Sequence, residues 1–157
     1  MFRKSQLRQP AQNTLGFSLI EIVVVVSLLG MAAAFAVPRF TSLANRTRAS
    51  EVQALSGRLR DAVQSAHSQF VASGSTLAAA KFRGKAVVLK NGYPEASNAG
   101  IANAVLDWGG FTTRSAPSFV VFFKTGAPFD AQCSVTYQEA PEPSTAAVIT
   151  DINISGC

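Results

Sequence analysis

The most informative stretch of the chain is Thr14–Val26, which reads TLGFSLIEIVVVV. After Gly16 this stretch contains only apolar residues, apart from Ser18 and Glu21. It therefore has the composition of a helix embedded in lipid, with one carboxylate close to its start. A charge in such a helix is costly, and intramembrane ionisable residues usually have a partner or a function. Glu21 thus indicates either a position at a membrane interface or a role that requires its charge.

The apolar run from Phe17 to Val37 is long enough to cross a membrane. It contains twelve Leu, Ile, Val or Phe residues and a single charge, Glu21. Those twelve side chains contribute about −4 to −7 kcal/mol to insertion, whereas a charge at the bilayer centre costs about 2.5 to 3.5 kcal/mol. A helix of this length extends roughly 30 Å, the thickness of the hydrocarbon core. The sequence therefore predicts a membrane-spanning segment.

A short basic segment precedes this run. Arg3, Lys4 and Arg8 lie within residues 1–16, which contain no acidic residue. The whole chain of 157 residues has a formal net charge of +5, and without this segment 11 basic residues face 9 acidic ones. Most of the excess of basic over acidic residues therefore lies in residues 1–16. Since no basic stripe with interleaved aromatic residues is present, the sequence does not indicate a nucleic-acid-binding surface.

An ordinary secretory signal is an alternative interpretation of the same region. Ala34-Phe35-Ala36 is a small-x-small cleavage motif at the end of the apolar run. Cleavage there would release a soluble secreted binding protein that starts at Val37. Glu21 argues against this alternative, because it would lie inside the apolar region that the translocation machinery recognises. Both interpretations remain open from these residues alone.

The helical pattern continues after Pro38 as an amphipathic helix. Apolar residues recur at steps of three, four and seven, at Leu43, Val52, Leu55, Leu59, Ala62, Val63, Ala66 and Phe70. The sequence predicts one helix from about residue 17 to about residue 72, weakened at Gly30 and bent at Pro38. Its amphipathic half requires a partner that covers the apolar stripe, and Ser73-Gly74-Ser75 is its expected end.

The remaining sequence predicts a small antiparallel sheet and hence an α+β fold. Four segments have strand patterns, namely Ala86–Leu89, Phe119–Phe123, Cys133–Gln138 and Ala146–Ile154. The last two flank a Pro-rich turn and predict a hairpin. The expected organisation is a cleaved leader over 1–16, a membrane or filament-core helix over 17–38, and a globular head over 39–157. Within the head we expect helix over 39–72, loop over 73–118 and sheet over 119–157.

Cys133 and Cys157 can pair in only one way within the chain. In an exported protein a disulfide bond is the favoured interpretation. Closing a loop of about 25 residues would stabilise the head by roughly 3 kcal/mol. Two separate buried thiols are the alternative, and with the distant His67 they are too few ligands for a metal site.

The hexapeptide Gly16-Phe17-Ser18-Leu19-Ile20-Glu21, placed between a basic leader and an apolar helix, resembles the processing site of type IV pilins. The resemblance implies that a prepilin peptidase recognises a class III signal, cuts after Gly16 and methylates the new amine of Phe17. It also implies a pilin-like fold whose apolar helix anchors the precursor in the bacterial inner membrane. That helix would later pack into the core of an extracellular homo-oligomeric filament, with an inner-membrane assembly platform and an ATPase as partners.

Three shorter stretches are similar to the mannose-sensitive haemagglutinin branch of this family: Ala36–Phe40, Ser65–Gln69 and Asn91–Pro94. The resemblance implies a structural pilus subunit for surface attachment. A minor pilin or a pseudopilin of a secretion machine is the alternative. The hypothesis for Glu21 is that it neutralises the free amine of Phe17 on a neighbouring subunit, which sets the register of assembly.

Other candidate residues indicate structural roles rather than chemistry. His67 has no nucleophile or carboxylate arranged around it, and Trp108 is expected to anchor a loop. Lys81, Arg83, Lys85 and Lys90 form a loose basic cluster that is expected to be a solvated face. With no hydrolase elbow and no phosphate loop in the sequence, we expect no enzyme activity, no metal and no cofactor.

Overall fold

The computed structural model describes residues 16–105 and 107–157, apart from the side chain of Pro38. The chain divides into two units, Met1–Phe40 and Thr41–Cys157. The predicted basic leader lies outside the described residues except for Gly16.

Helix α1 extends from Leu19 to Ala72. Its first turn contains Glu21 as the acidic residue, which complements the positive end of the helix dipole. At the other end the Ser73 hydroxyl donates to the Phe70 carbonyl at 2.6 Å, and Gly74 adopts a positive φ of 75° that ends the helix. Helix geometry continues through Gly30 and Pro38, and the bend at these residues stays a prediction.

The described part of the chain contains seven strands, which form two antiparallel sheets. Their bounds are β1 Ala79–Phe82, β2 Lys85–Lys90, β3 Tyr93–Pro94, β4 Phe111–Ser115, β5 Phe119–Lys124, β6 Ser134–Gln138 and β7 Val148–Asn153. The three-stranded sheet has the order β1-β2-β3, and the four-stranded sheet has the order β4-β5-β6-β7. The predicted α+β layout, a long helix with small antiparallel sheets, is confirmed.

The hydrophobic core lies between the amphipathic half of α1 and the sheets. Val52, Leu55 and Leu59 are buried on the helix, where steps of three and four place them on one face. They belong to one cluster with alternate residues of the central strands, namely Val120 and Phe122 on β5 and Val135 and Tyr137 on β6. The predicted final hairpin is confirmed, since Val135 of β6 pairs with Ile152 of β7.

The predicted loop over residues 73–118 is wrong over nearly half of its length. This segment contains β1 to β4 and a short helical segment over Asn98–Ala102. The strands are two to six residues long, and several carry basic or small residues, so they lack a clear apolar alternation. Their stability comes from pairing with neighbours, which sequence periodicity does not report.

One of these pairings depends on a tight turn at Asn91-Gly92. Lys90 pairs with Tyr93 across it, and the two turn residues have φ angles of 55° and 82°. A two-residue hairpin loop of this type favours Asn-Gly, because both positions require positive φ. A Cβ atom at Gly92 would also lie 2.7 Å from the ring of Phe70. The turn therefore allows the β2–β3 hairpin to approach the end of α1.

Candidate functional site

The predicted processing site lies immediately before α1. Gly16, Phe17 and Ser18 are outside the helix, and the backbone N–H of Ile22 donates to the Ser18 carbonyl at 3.2 Å. Glu21 lies in the first helical turn and is exposed. Phe17 precedes Glu21 by four residues and lies before the first residue of the helix. Cleavage after Gly16, methylation of Phe17 and the assembly role of Glu21 stay predictions.

The apolar segment that follows is exposed within the chain. Most of its large side chains are more than half exposed, including Leu19, Ile20, Val23, Val26, Leu28, Leu29, Met31 and Phe35. Its most apolar 18-residue window has a mean hydropathy of 2.5 and no buried residue. Among the described residues, α1 is the one helix with the length and composition to cross a membrane. An uncovered surface of this size requires lipid or protein around it.

The C-terminal segment of the head is closed by a disulfide bond between Cys133 and Cys157, the pair expected from the sequence. Backbone hydrogen bonds reinforce the closure, since the N–H of Gly156 donates to the Gln132 carbonyl at 2.9 Å. The N–H of Phe129 donates to the Gly156 carbonyl at 3.3 Å. The final residues are therefore held against the segment that precedes β6.

A buried carboxylate joins the two sheets. Glu139, which follows β6, is 3% exposed, and its Oε2 accepts from the backbone N–H of Ala96 at 2.8 Å. Lys90, the last residue of β2, donates to Glu139 Oε1. This hydrogen bond and the charge of Glu139 raise the pKa of Lys90. Lys90 therefore provides a partner of opposite charge for the buried carboxylate of Glu139, which would otherwise be costly to bury.

A buried tyrosine makes a second connection at the same place. The Tyr137 hydroxyl on β6 donates to the Pro94 carbonyl at 2.5 Å. Asn91 Nδ2 also donates to the Ala140 carbonyl at 2.9 Å. Burial, with a smaller contribution from the charge of Glu139, raises the pKa of Tyr137. These bonds hold the β2–β3 turn against the end of β6.

A third polar contact connects the four-stranded sheet with α1. Lys124 at the end of β5 is 9% exposed, and its Nζ lies 2.7 Å from Glu51 Oε2 on the helix. Nζ also donates to the Gly110 carbonyl at 3.0 Å and lies 4.9 Å from the centre of the Phe111 ring. The positive charge of Lys124 therefore has three partners: a carboxylate, a carbonyl oxygen and an aromatic ring.

The other candidate residues have packing partners. The His67 ring stacks on Tyr93 with centroids 4.2 Å apart, and its Nδ1 lies 3.1 Å from the Gly92 carbonyl. Trp108 Nε1 donates to the Ala102 carbonyl at 3.1 Å, and its ring meets Phe122 edge-on. These contacts favour the structural roles expected from the sequence. Within residues 16–105 and 107–157 no group of three or more His, Cys, Asp or Glu residues could hold a metal ion.

The predicted basic cluster is only partly correct. Lys81, Arg83 and Lys85 are exposed on the β1–β2 hairpin, whereas Lys90 is paired with Glu139. Sequence reasoning missed this pair because 49 residues separate its members. No local pattern signals it, since a charged residue at a strand end is ordinarily solvated.

Comparison with known proteins gives a partial match. This chain is 37% identical over 49 residues to the type IV major fimbrial protein FimA of Dichelobacter nodosus, in three separate sequences. The chain is similar in part to a type IV pilin. The aligned region covers 31% of this chain, and the chain spans 31% of the length of these curated relatives. No family model matches the chain, and no solved structure gives a significant match.

Proposed function

We propose that this chain is the precursor of a structural subunit of a type IV pilus, which polymerises through its N-terminal helix and serves surface attachment. The observation that carries the proposal is the exposed apolar segment of α1, with Glu21 in its first turn and Gly16-Phe17 just before it. The partial similarity to a type IV major fimbrial protein supports it. The similarity of three short stretches to the mannose-sensitive haemagglutinin branch supports a role in attachment.

The physical reason for polymerisation is the apolar surface itself. Burying one large aliphatic side chain contributes roughly 1.5–3 kcal/mol, and α1 exposes many of them before Thr41. In the precursor, the lipid of the inner membrane covers this surface. In the filament, the same segments of neighbouring copies cover each other, so the subunit leaves the bilayer without exposing its helix to water.

Processing at Gly16 provides the charge that Glu21 requires. Cleavage by a prepilin peptidase creates an amine at Phe17, and methylation leaves that amine positively charged. In a filament core with little water, the amine of one copy pairs with Glu21 of the next. An unpaired buried charge costs about 3–5 kcal/mol relative to the pair, so only copies in the correct axial position are incorporated.

Assembly of such a subunit requires further proteins. We propose an inner-membrane platform driven by a cytoplasmic ATPase, with the finished filament on the cell surface. A minor pilin or a pseudopilin would share the helix and its processing but would form a small part of any fibre. Abundance in fibres sheared from cells therefore distinguishes a major subunit from these alternatives.

The experiment that tests the proposal is mass spectrometry of the mature N-terminus, with sheared fibres and membranes analysed separately. The expected result is an N-terminus at methylated Phe17 in both fractions, with the chain as the main protein of the fibres. An N-terminus at Val37 would overturn the proposal, because cleavage after Ala36 removes the helix segment through which assembly occurs. Correct processing with only traces in fibres would indicate the minor pilin or pseudopilin instead.

A further inference from the structure

The last residue of β7 begins the sequence Asn153-Ile154-Ser155, here called the acceptor turn. Asn-x-Ser or Asn-x-Thr, where x is not proline, is the sequence in which an asparagine amide accepts an N-linked glycan. The chain contains one other such sequence, Asn45-Arg46-Thr47 on α1. Because three-residue motifs occur by chance, the structure around each one decides which of the two can react.

Ser155 folds back on Asn153 in the acceptor turn. The Ser155 hydroxyl donates to Asn153 Oδ1 at 2.8 Å, and the backbone N–H of Ser155 donates to the same oxygen at 3.2 Å. These bonds form an Asx turn. Two donors on the amide oxygen stabilise the negative charge that collects there when the amide nitrogen releases a proton. The turn therefore prepares the Asn153 amide to lose a proton and to form a bond through Nδ2.

The nitrogen of this amide is available for reaction. Nδ2 of Asn153 forms no hydrogen bond with another residue in the described part of the chain. Asn153 is half-buried, whereas Ile154 and Ser155 are exposed. Among the described strands, β7 is an edge strand that pairs with β6 alone. An enzyme can therefore approach the amide from the free edge of the sheet.

An exposed carboxylate lies close to the acceptor turn on the same side of the sheet. Asp151 precedes Asn153 by two residues on β7, and residues two apart on a strand face the same side. The two pair with Thr136 and Ser134, which flank the core residue Val135. They therefore lie on the sheet face opposite the core. Asp151 forms no ion pair with another described residue, so a basic group of an enzyme can recognise its charge.

The second motif has a different geometry. Asn45 lies inside α1, and its Oδ1 accepts from Arg48 Nη2 at 2.6 Å. The Thr47 hydroxyl donates to the Leu43 carbonyl at 3.0 Å and not to Asn45. Leu43 also occupies the position two residues before Asn45, where the acceptor turn has a carboxylate. We therefore expect Asn45 to stay unmodified.

We propose that the side-chain amide of Asn153 is glycosylated by a membrane transferase. The donor is an oligosaccharide joined to a lipid through pyrophosphate. Nδ2 attacks the anomeric carbon of the first sugar, so that a carbon–nitrogen bond forms and the bond from that carbon to the phosphate oxygen breaks. The lipid pyrophosphate leaves with the electron pair, and one proton of the amide passes to a base of the transferase.

This modification requires export of the head, which the proposed function supplies, but it does not require assembly into fibres. The disulfide bond between Cys133 and Cys157 closes the same segment, and such bonds are typical of exported proteins. A glycan is bulky and soluble in water. On Asn153 it would cover the end of an edge strand that also exposes Val148 and Ile152. Covered edges pair less readily with strands of other molecules.

Tryptic digestion of the full chain, taken from membranes of the bacterium that produces it, separates the two motifs. Residues 125–157 contain no Lys or Arg, so one peptide carries Asn153, whereas Asn45 lies in a peptide that ends at Arg46. Mass spectrometry should find an added mass that fragments into sugar ions on the first peptide and none on the second. An unmodified first peptide would overturn the proposal.

Variants identify the attachment site and the role of the turn. Asn153→Gln and Ser155→Ala should lose the added mass, because the first moves the amide and the second removes the hydroxyl donor. Ser155→Thr keeps a hydroxyl and should keep the added mass, which separates loss of the donor from loss of the fold. Asn45→Gln is the matched control and should also keep it. Sugar that persists in Asn153→Gln would overturn the proposal in favour of a hydroxyl such as that of Ser144 or Thr145.

Two further outcomes separate this proposal from its neighbours. Asp151→Asn should lower the modified fraction, and an unchanged fraction would overturn the role of that carboxylate in recognition. A chain that starts at Val37 but carries sugar on Asn153 would overturn the proposed function and support glycosylation. A chain that starts at methylated Phe17 with an unmodified Asn153 would do the reverse.

Discussion

The ammonium group of Lys124 lies 2.7 Å from Glu51 Oε2, and the two residues differ sharply in their access to solvent. The Lys124 side chain is 11% exposed, whereas that of Glu51 is 45% exposed. Water can therefore replace the lysine as a partner of Glu51, but it has little access to Lys124. The two halves of this ion pair should not contribute equally to stability.

Removal of Glu51 should destabilise the head more than removal of Lys124. Glu51→Ala leaves a nearly buried cation with the Gly110 carbonyl and the Phe111 ring, so we expect a loss of about 1–3 kcal/mol in the free energy of unfolding. Lys124→Met keeps the packing of the stem and leaves a solvated carboxylate, so its loss should stay below about 1 kcal/mol. Urea unfolding of the full chain in detergent measures both.

The exposed pair between Arg58 and Asp107, 3.9 Å apart, provides a control for that measurement. Arg58→Met should change the free energy of unfolding by no more than about 0.5 kcal/mol. An equal or larger loss for Lys124→Met than for Glu51→Ala would contradict the idea that burial controls the asymmetry.

Stability should decline in alkaline solution. The pKa values of Lys90 and Tyr137 are raised above their ordinary values of 10.5 and 10.0. The folded state therefore keeps protons that the unfolded state has released, which favours unfolding as pH rises. The contribution is fully present below pH 10 and is lost as pH passes through the raised values. Denaturant unfolding between neutral pH and strongly alkaline pH measures the decline.

The double variant Lys90→Met with Tyr137→Phe tests the origin of this alkaline decline. Its stability should be lower at neutral pH but should depend less on pH above 10, since both titrating groups are gone. Lys85→Met removes an exposed lysine of the same sheet that has no carboxylate partner and should keep the wild-type pH dependence. A double variant with an unchanged alkaline slope would show that other groups are responsible.

Loss of the disulfide bond should destabilise the head without changing its topology. The chain-entropy model predicts that Cys133→Ser with Cys157→Ser loses about 2–4 kcal/mol. The hydrogen bonds between Gly156 and its neighbours, Gln132 and Phe129, remain available, so the β6–β7 hairpin should persist. Thermal unfolding of the variant, and of wild type with and without a reductant, provides the comparison. Reductant should have no effect on the variant.

Glu21→Ala should separate processing from assembly. Cleavage after Gly16 should continue, whereas incorporation into fibres should fall by more than roughly tenfold, because the amine of Phe17 would lose its partner in the core. The mature N-terminus and the fibre yield are measured together. Ser27→Ala is a suitable control, since the Ser27 hydroxyl is already bonded to the Val23 carbonyl of its own helix. Normal fibre yield from Glu21→Ala would refute the register hypothesis.

The long helix and the final hairpin could be predicted from the sequence. α1 ends at Ala72, at the expected Ser-Gly-Ser stop, because three- and four-residue apolar steps are a local property of the chain. The β6–β7 hairpin follows from alternation around a Pro-rich turn. By contrast β1, β3 and β4 were not predicted, since such short strands are stable only through neighbours that lie elsewhere in the chain.

The residues of the candidate site also include some that the sequence predicts and some that only the folded structure reveals. Gly16, Phe17, Glu21 and the apolar run after them are contiguous, so their pattern can be recognised without any tertiary information. The partners of the charged groups in the head depended on three-dimensional packing, since folding brings Lys90 to Glu139 across 49 residues. Periodicity and motifs reflect the local geometry of the chain. The partner of each charged residue depends instead on which distant segments the fold brings together.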